Sequence, residues 1–208
     1  NSKSKFMPNK LVFPGGGWEK DDSIIAKNFK FENKTLSLLN YESDLNISNG
    51  LVATAIRELW EETGLRLASN LNDISEVKDL QIPILWKEFC KKNYFPNLNC
   101  LNFFFRAITP PGRKIRFDAR FFICDSKYLV GKSNEFKSKN DELIDLSWIS
   151  LDQICEDSLP RITKRVIKQV KLIIKDKRYL NRIPFYKGGS EKNTNNFITY
   201  SGVKFYKT

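Results

Sequence analysis

The chain has 208 residues, 41% apolar and 28% charged, with a formal net charge of +11 and no histidine. This is the balance of an ordinary globular protein, long enough to bury a core without disulfide staples. It excludes His-based triads, HExxH zinc sites and any His general base, and leaves chemistry to carboxylates, Lys, Tyr, Cys or a hard cation on oxygen ligands.

No run approaches the roughly 18 apolar residues that a membrane helix needs. The positive charge favours an anionic partner such as a phosphorylated metabolite, nucleic acid or a membrane surface. Because Lys and Arg are dispersed along the chain, it fits a basic solvated surface as well. Cys90, Cys100, Cys124 and Cys155 form no CxxC pair and match no zinc module, so they read as reduced thiols of a cytoplasmic protein. Asn1–Lys5 leads into no apolar h-region, so no secretory signal is read there. The absent initiator Met is taken as the mark of a trimmed chain or a fragment.

In chain order, Leu11-Val12-Phe13 reads as a strand stopped by the turn Pro14-Gly15-Gly16-Gly17. Residues 23–49 mix Lys, Asn, Ser and Glu with scattered apolar residues and read as a long loop, with room for a short helix near Leu36–Leu39. Helical spacing covers 51–63 through Leu51, Ala55 and Leu59, with Gly64 at the C-cap. Residues 80–95 are helical or mixed. Strands are expected at 101–108 and 117–124 around Pro110-Pro111-Gly112, and at 146–149. Leu159-Pro160 opens a helix with Ile162, Val166, Val170 and Ile173 on one face, and Phe197–Tyr200 with Val203–Tyr206 flank a hairpin turn at Ser201-Gly202.

One constellation carries chemistry. Glu58 lies three and four residues before Glu61 and Glu62, so a helix projects all three carboxylates from one side. Like charges so spaced repel by a few tenths of a kcal/mol per pair. Taken alone, the three acids read first as a solvated helix face, with a divalent-metal site as the alternative, for which Arg57 stands four residues before Glu61 to hold the cluster.

Arg57-Glu58-Leu59-Trp60-Glu61-Glu62-Thr63-Gly64-Leu65, together with Phe13-Pro14-Gly15-Gly16-Gly17, resembles the Nudix hydrolase box. That box runs Gly, five residues, Glu, seven residues, then Arg-Glu-aliphatic-x-Glu-Glu-x-Gly-aliphatic. Its second half matches at every fixed position, a coincidence on the order of one in 10⁵ at average residue frequencies. The first half departs. Gly16 fits the box glycine, but Asp22 stands where the box has Glu, and 34 residues separate Asp22 from Arg57 where the box has seven, so 27 are inserted. Outer segments such as Ile108–Gly112, Arg116–Phe122 and Leu159–Thr163 are similar to a bacterial Nudix branch related to peroxisomal coenzyme A diphosphatases.

The resemblance implies an α/β/α sandwich with a mixed central sheet: one domain over 1–208, with an insertion at about 23–49 and a C-terminal tail at about 185–208. It implies a hydrolase that uses Mg²⁺ or Mn²⁺ to cleave a small-molecule diphosphate. The substrate would be a nucleoside diphosphate derivative of coenzyme A-like or nucleotide-sugar-like type, cut by water attack on phosphorus. Glu58, Glu61 and Glu62 become the expected metal ligands, with a backbone carbonyl at Gly15 or Gly16. Glu58 or Glu61 is the expected base, and Arg57 orients them. Glu135, Asp141 and Glu142 are candidates for a further acid. Arg116 and Arg120 are candidates for substrate phosphate, or for a structural pair with Asp118. No membrane partner is expected, and the choice between monomer and dimer is open. The alternative is a Nudix-fold module that binds a nucleotide or RNA without cleaving it, for which the aromatic strands leave room.

Overall fold

The computed structural model describes residues 10–29, 36–43, 45–70, 81–131, 135–137, 145–187, 196–199 and 202–205. The expected 51–63 helix is longer. Helix α3 runs Leu45–Thr63 and buries Val52, Ala53, Ile56 and Trp60 along one stripe. It ends where foreseen: Gly64 has φ +77°, and its N–H closes on the Trp60 carbonyl at 2.8 Å.

In the described part of 23–49 the short helix falls at Leu36–Leu39 as expected, and more of the stretch is helical than foreseen. Helix α1 (Lys20–Lys27) and the single turn α2 (Leu36–Leu39) precede α3, and Ile25, Ala26, Leu38 and Leu39 are buried in the main core. Phe29 packs on Phe95 with ring centres 5.9 Å apart, and Tyr41 on Phe185 at 6.1 Å. These side chains bury themselves on the protein, as apolar groups in such a segment should. Phe31 lies outside the described residues.

Five strands form a mixed sheet in the order β4-β3-β6-β7-β8: β4 Asp118–Ile123, β3 Asn102–Ile108, β6 Ile183–Lys187, β7 Asn196–Thr199 and β8 Gly202–Phe205. β3 and β4 are the expected antiparallel pair, with a register shift between Phe103 and Phe105. β3 and β6 run parallel, and β7 and β8 form the foreseen hairpin. The residues read as a C-terminal tail thus supply β6 in part, β7 and β8. A second sheet orders β2 (Tyr94–Pro96), β1 (Arg66–Asn70) and β5 (Leu129–Val130).

The larger sheet is covered on both faces. One face packs Phe103, Ile183 and Phe185 into the core shared with α1, α2 and α3. The other packs Phe104 and Phe105 against Val166 and Ile173 of α4 (Arg161–Lys175), whose apolar stripe is the one expected. The result is the anticipated α/β/α sandwich. Two expected strands are absent. Residues 11–13 are exposed and join no sheet among the described residues, although the Leu11 N–H donates to the Ser158 carbonyl at 3.4 Å, and 146–149 is irregular, with Trp148 exposed and resting near Phe136.

Candidate functional site

The glycine loop meets the C-terminal half of α3, and Arg57 is the hub. Its Nε donates to Asp22 Oδ1 at 2.9 Å, and Nη2 donates to Asp22 Oδ2 at 3.0 Å and to the Gly17 carbonyl at 2.8 Å. Nη1 donates to Glu58 Oε1 at 2.8 Å and Glu61 Oε2 at 2.9 Å. A guanidinium has five N–H donors, so every one is engaged. Burial alone would lower the Arg57 pKa. The hydrogen bonds and charge of Asp22, and then Glu58, outweigh it and hold the pKa above its ordinary value.

Asp22 is fully buried. Besides Arg57, it accepts from Thr54 Oγ1 at 2.9 Å, Trp86 Nε1 at 3.1 Å and the Glu19 N–H at 3.0 Å. The last bond caps the first turn of α1. The same carboxylate therefore starts α1 and anchors α3, so the position that breaks the box pattern still reaches the arginine across the inserted residues. An i, i+3 relation to Arg57 on α3 could have flagged Thr54. Nothing local flags Trp86.

The loop is held from two sides. The Gly15 N–H donates to Glu62 Oε2 at 2.9 Å, and Arg57 holds the Gly17 carbonyl. Between them, a Cβ on Gly16 would stand 2.3 Å from Glu58 Oε1, so only glycine fits against that carboxylate. Glu58 and Glu62 are buried and Glu61 is half-buried.

Asp22, Glu58 and Glu61 set three carboxylates around one guanidinium, and Glu62 adds a fourth where it accepts from the glycine loop. Ionised together they leave a net negative site beside loop carbonyls, an all-oxygen donor set of the kind Mg²⁺ and Mn²⁺ take. Among the described residues, no three acidic or thiol side chains already converge as a metal cluster. Arg57 draws Glu58 and Glu61 to one amino group, and Gly15 draws Glu62 to the loop. The donors fit in kind, and closure around an ion would require these side chains to turn.

Of the other expected residues, Arg116 and Arg120 make their described contacts outside this cluster. Arg120 is paired with Asp118 at 3.2 Å, and its Nη2 donates to Ser43 Oγ at 2.6 Å. Ser43 precedes the first turn of α3, which places it about 20 Å along the helix axis from Glu58. Asp118 is gripped chiefly by Arg106, through Nε at 2.8 Å and Nη2 at 2.6 Å. Arg116 is exposed, with Nε on the Thr109 carbonyl. Glu135 is exposed, 3.9 Å from Lys137 Nζ. Asp141 and Glu142 lie outside the described residues.

The fold is similar to that of a Nudix hydrolase from Alicyclobacillus acidocaldarius, with a TM-score of 0.64 and 23% sequence identity over 88% of this chain and 85% of that one. At that identity the likeness establishes the fold. No protein-family model matches the chain, and no curated protein matches it.

Proposed function

We propose that this chain is a Nudix-type hydrolase that cleaves the diphosphate linkage of a nucleoside diphosphate derivative. The observation that carries the reading is the five-bond Arg57 hub, which gathers Asp22, Glu58, Glu61 and the glycine loop into one net-negative, oxygen-lined site. A pure nucleotide binder gains nothing from acids facing a phosphate. The fold likeness supports the same reading.

In this proposal Glu58, Glu61 and Glu62, with a carbonyl at Gly15 or Gly16, hold Mg²⁺ or Mn²⁺. When bound, the ion supplies charge neutralisation to the diphosphate and acidity to the attacking water. Arg57 fixes the direction of Glu58 and Glu61, and Asp22 fixes Arg57. Glu58 or Glu61 accepts the water's proton as its oxygen bonds to phosphorus and the anhydride P–O bond breaks. Arg116, exposed at the foot of β4, is offered to the substrate phosphate. Arg120, engaged by Asp118 and Ser43, serves the fold.

Turnover of a panel of diphosphate metabolites, followed by mass spectrometry of the products, tests this. Activity is expected to vanish in excess chelator, return with Mg²⁺ or Mn²⁺, and rise toward alkaline pH. Full turnover in chelator, or none on any diphosphate with metal present, would sink the reading.

A further inference from the structure

A second site, cationic where the first is acidic, lies beyond the C-terminal end of α3, in a cleft of about 510 Å³ whose lining includes Trp60, Arg66, Glu88, Lys91, Lys92 and Lys137. At about 30 Å³ per water, it has room for well over a dozen. Four of the lining side chains are cations and one is an acid. That acid, Glu88, is already bonded to Lys91 Nζ at 2.5 Å.

Arg66 is enclosed by three aromatic rings. Its guanidinium carbon lies 5.5 Å from the Trp60 ring centre, 5.3 Å from Phe89 and 5.0 Å from Tyr94. Three rings stabilise a cation through their faces, but they offer its N–H edges no lone pair. Arg66 Nε is accordingly buried with no hydrogen-bond partner among the described residues. A desolvated donor without an acceptor is costly. Burial pulls the Arg66 pKa below its ordinary value, yet an arginine keeps its charge. With Nε enclosed, an anion in the cleft would meet Arg66 at its amino groups.

The lip of the cleft is shaped for the same end. Lys92 stands at φ +61°, beside Asn93 at +59°; Asn takes this conformation readily, whereas for Lys92 it is the less usual one that proteins tend to keep where a side chain must be aimed. The Lys137 N–H donates to the Thr63 carbonyl at 2.9 Å, which seats Lys137 over the end of α3. The carbonyl end of a helix repels anions. Here Lys137 N–H and Gly64 N–H cover the Thr63 and Trp60 carbonyls, and the lysines set the sign of the cleft.

We propose that this cleft binds a condensed phosphate chain of three or more negative charges, separately from the Arg57–glutamate site. The phosphates meet Arg66, Lys92 and Lys137, while Lys91 remains shared with Glu88. Such a chain could come from inorganic polyphosphate or from a nucleoside triphosphate. The proposal does not rest on hydrolysis at the glutamates.

The test is calorimetric titration in excess chelator, with inorganic tripolyphosphate and with adenosine triphosphate as separate probes. Equal affinities assign the phosphate chain alone as the ligand. A nucleotide at least tenfold tighter assigns the nucleoside as well. Lys92→Gly, which relieves a positive φ while removing a charge, and Lys137→Ala should each weaken binding at least threefold, and together about tenfold. Arg66→Ala should do so alone, and if it unfolds the lysine pair carries the test. Glu61→Gln should bind as the parent does, and the lysine variants should keep parental diphosphate hydrolysis. Absence of binding, or binding unchanged in the lysine double variant, overturns the proposal whatever the fate of the hydrolase reading.

Discussion

Asp22 accepts from a guanidinium, a hydroxyl, an indole and a backbone N–H. Its removal leaves the buried Arg57 partly uncompensated, a situation that costs about 3–5 kcal/mol. Asp22→Ala should therefore lower the unfolding free energy by about that amount in urea denaturation, and Asp22→Asn, which removes the same charge and sets an NH₂ against donors, should not restore it. Equal stability of Asp22→Ala and the parent would mean that Arg57 finds another partner. Gly16 separates site from fold. A methyl there strikes the Glu58 carboxylate, which Arg57 holds in place, so the carboxylate must move while the core stays intact. Gly16→Ala should lower kcat/KM at least tenfold with Tm shifted by only a few degrees. Glu61→Gln should do the same through lost charge. Parental turnover in either variant would remove that residue from the site.

At the scale of elements, α1 and α2 are not appendages, because Ile25, Leu38 and Leu39 complete the core under α3. Leu38→Ala and Leu39→Ala should each cost about 2–5 kcal/mol, the range for a buried Leu, measured as a drop in the denaturation midpoint with unchanged slope. A cost below about 1 kcal/mol for both would show that the segment is decoration. These elements were poorly legible for definite reasons. Asn49-Gly50 carries a turn signature, yet Gly50 lies inside α3. It is small there because a Cβ would stand 2.3 Å from Ser23 Oγ and 2.5 Å from Trp18 Nε1. That need comes from the packing of α1 on α3, which no local pattern records. α1 is polar and short, and its start depends on Asp22 bonding back to the Glu19 N–H. By contrast, α4 and the β3–β4 pair were legible, because each has one periodic apolar face. In the site, the spacing of Glu58, Glu61 and Glu62 was legible on α3. The role of Asp22 was not, since 34 residues lie between it and Arg57.

For the molecule as a whole, the Arg106–Asp118–Arg120 cluster ties the larger sheet to the segment ahead of α3. Arg106 also donates to the Tyr41 and Glu42 carbonyls, and Arg120 to Ser43. Burial would raise the Asp118 pKa. The Arg106 hydrogen bonds and the Arg120 and Arg106 charges outweigh it and hold it below the ordinary aspartate value. A depressed folded-state pKa means that the unfolded chain binds the proton first. The contribution is therefore complete above the unfolded value and is lost as pH falls below about 4. Asp118→Asn should flatten the acid limb of a Tm-versus-pH curve and leave its shape above pH 6 unchanged. An acid limb identical to the parent's would place the pH sensitivity elsewhere.

The bond from Trp86 Nε1 to Asp22 Oδ1 has an optical consequence. An indole emits according to the electric field across its ring, and this one is fully buried, in direct contact with the carboxylate that holds Arg57. Any event that redistributes charge over Glu58 and Glu61 passes through that guanidinium to the carboxylate against which the fluorophore rests. Trp18 and Trp148 are solvent-exposed and Trp60 faces the other cleft, so a Trp86→Phe difference spectrum would isolate the signal. The fold thus contains its own fluorescent gauge of occupancy at the acidic cluster, readable without label or substrate.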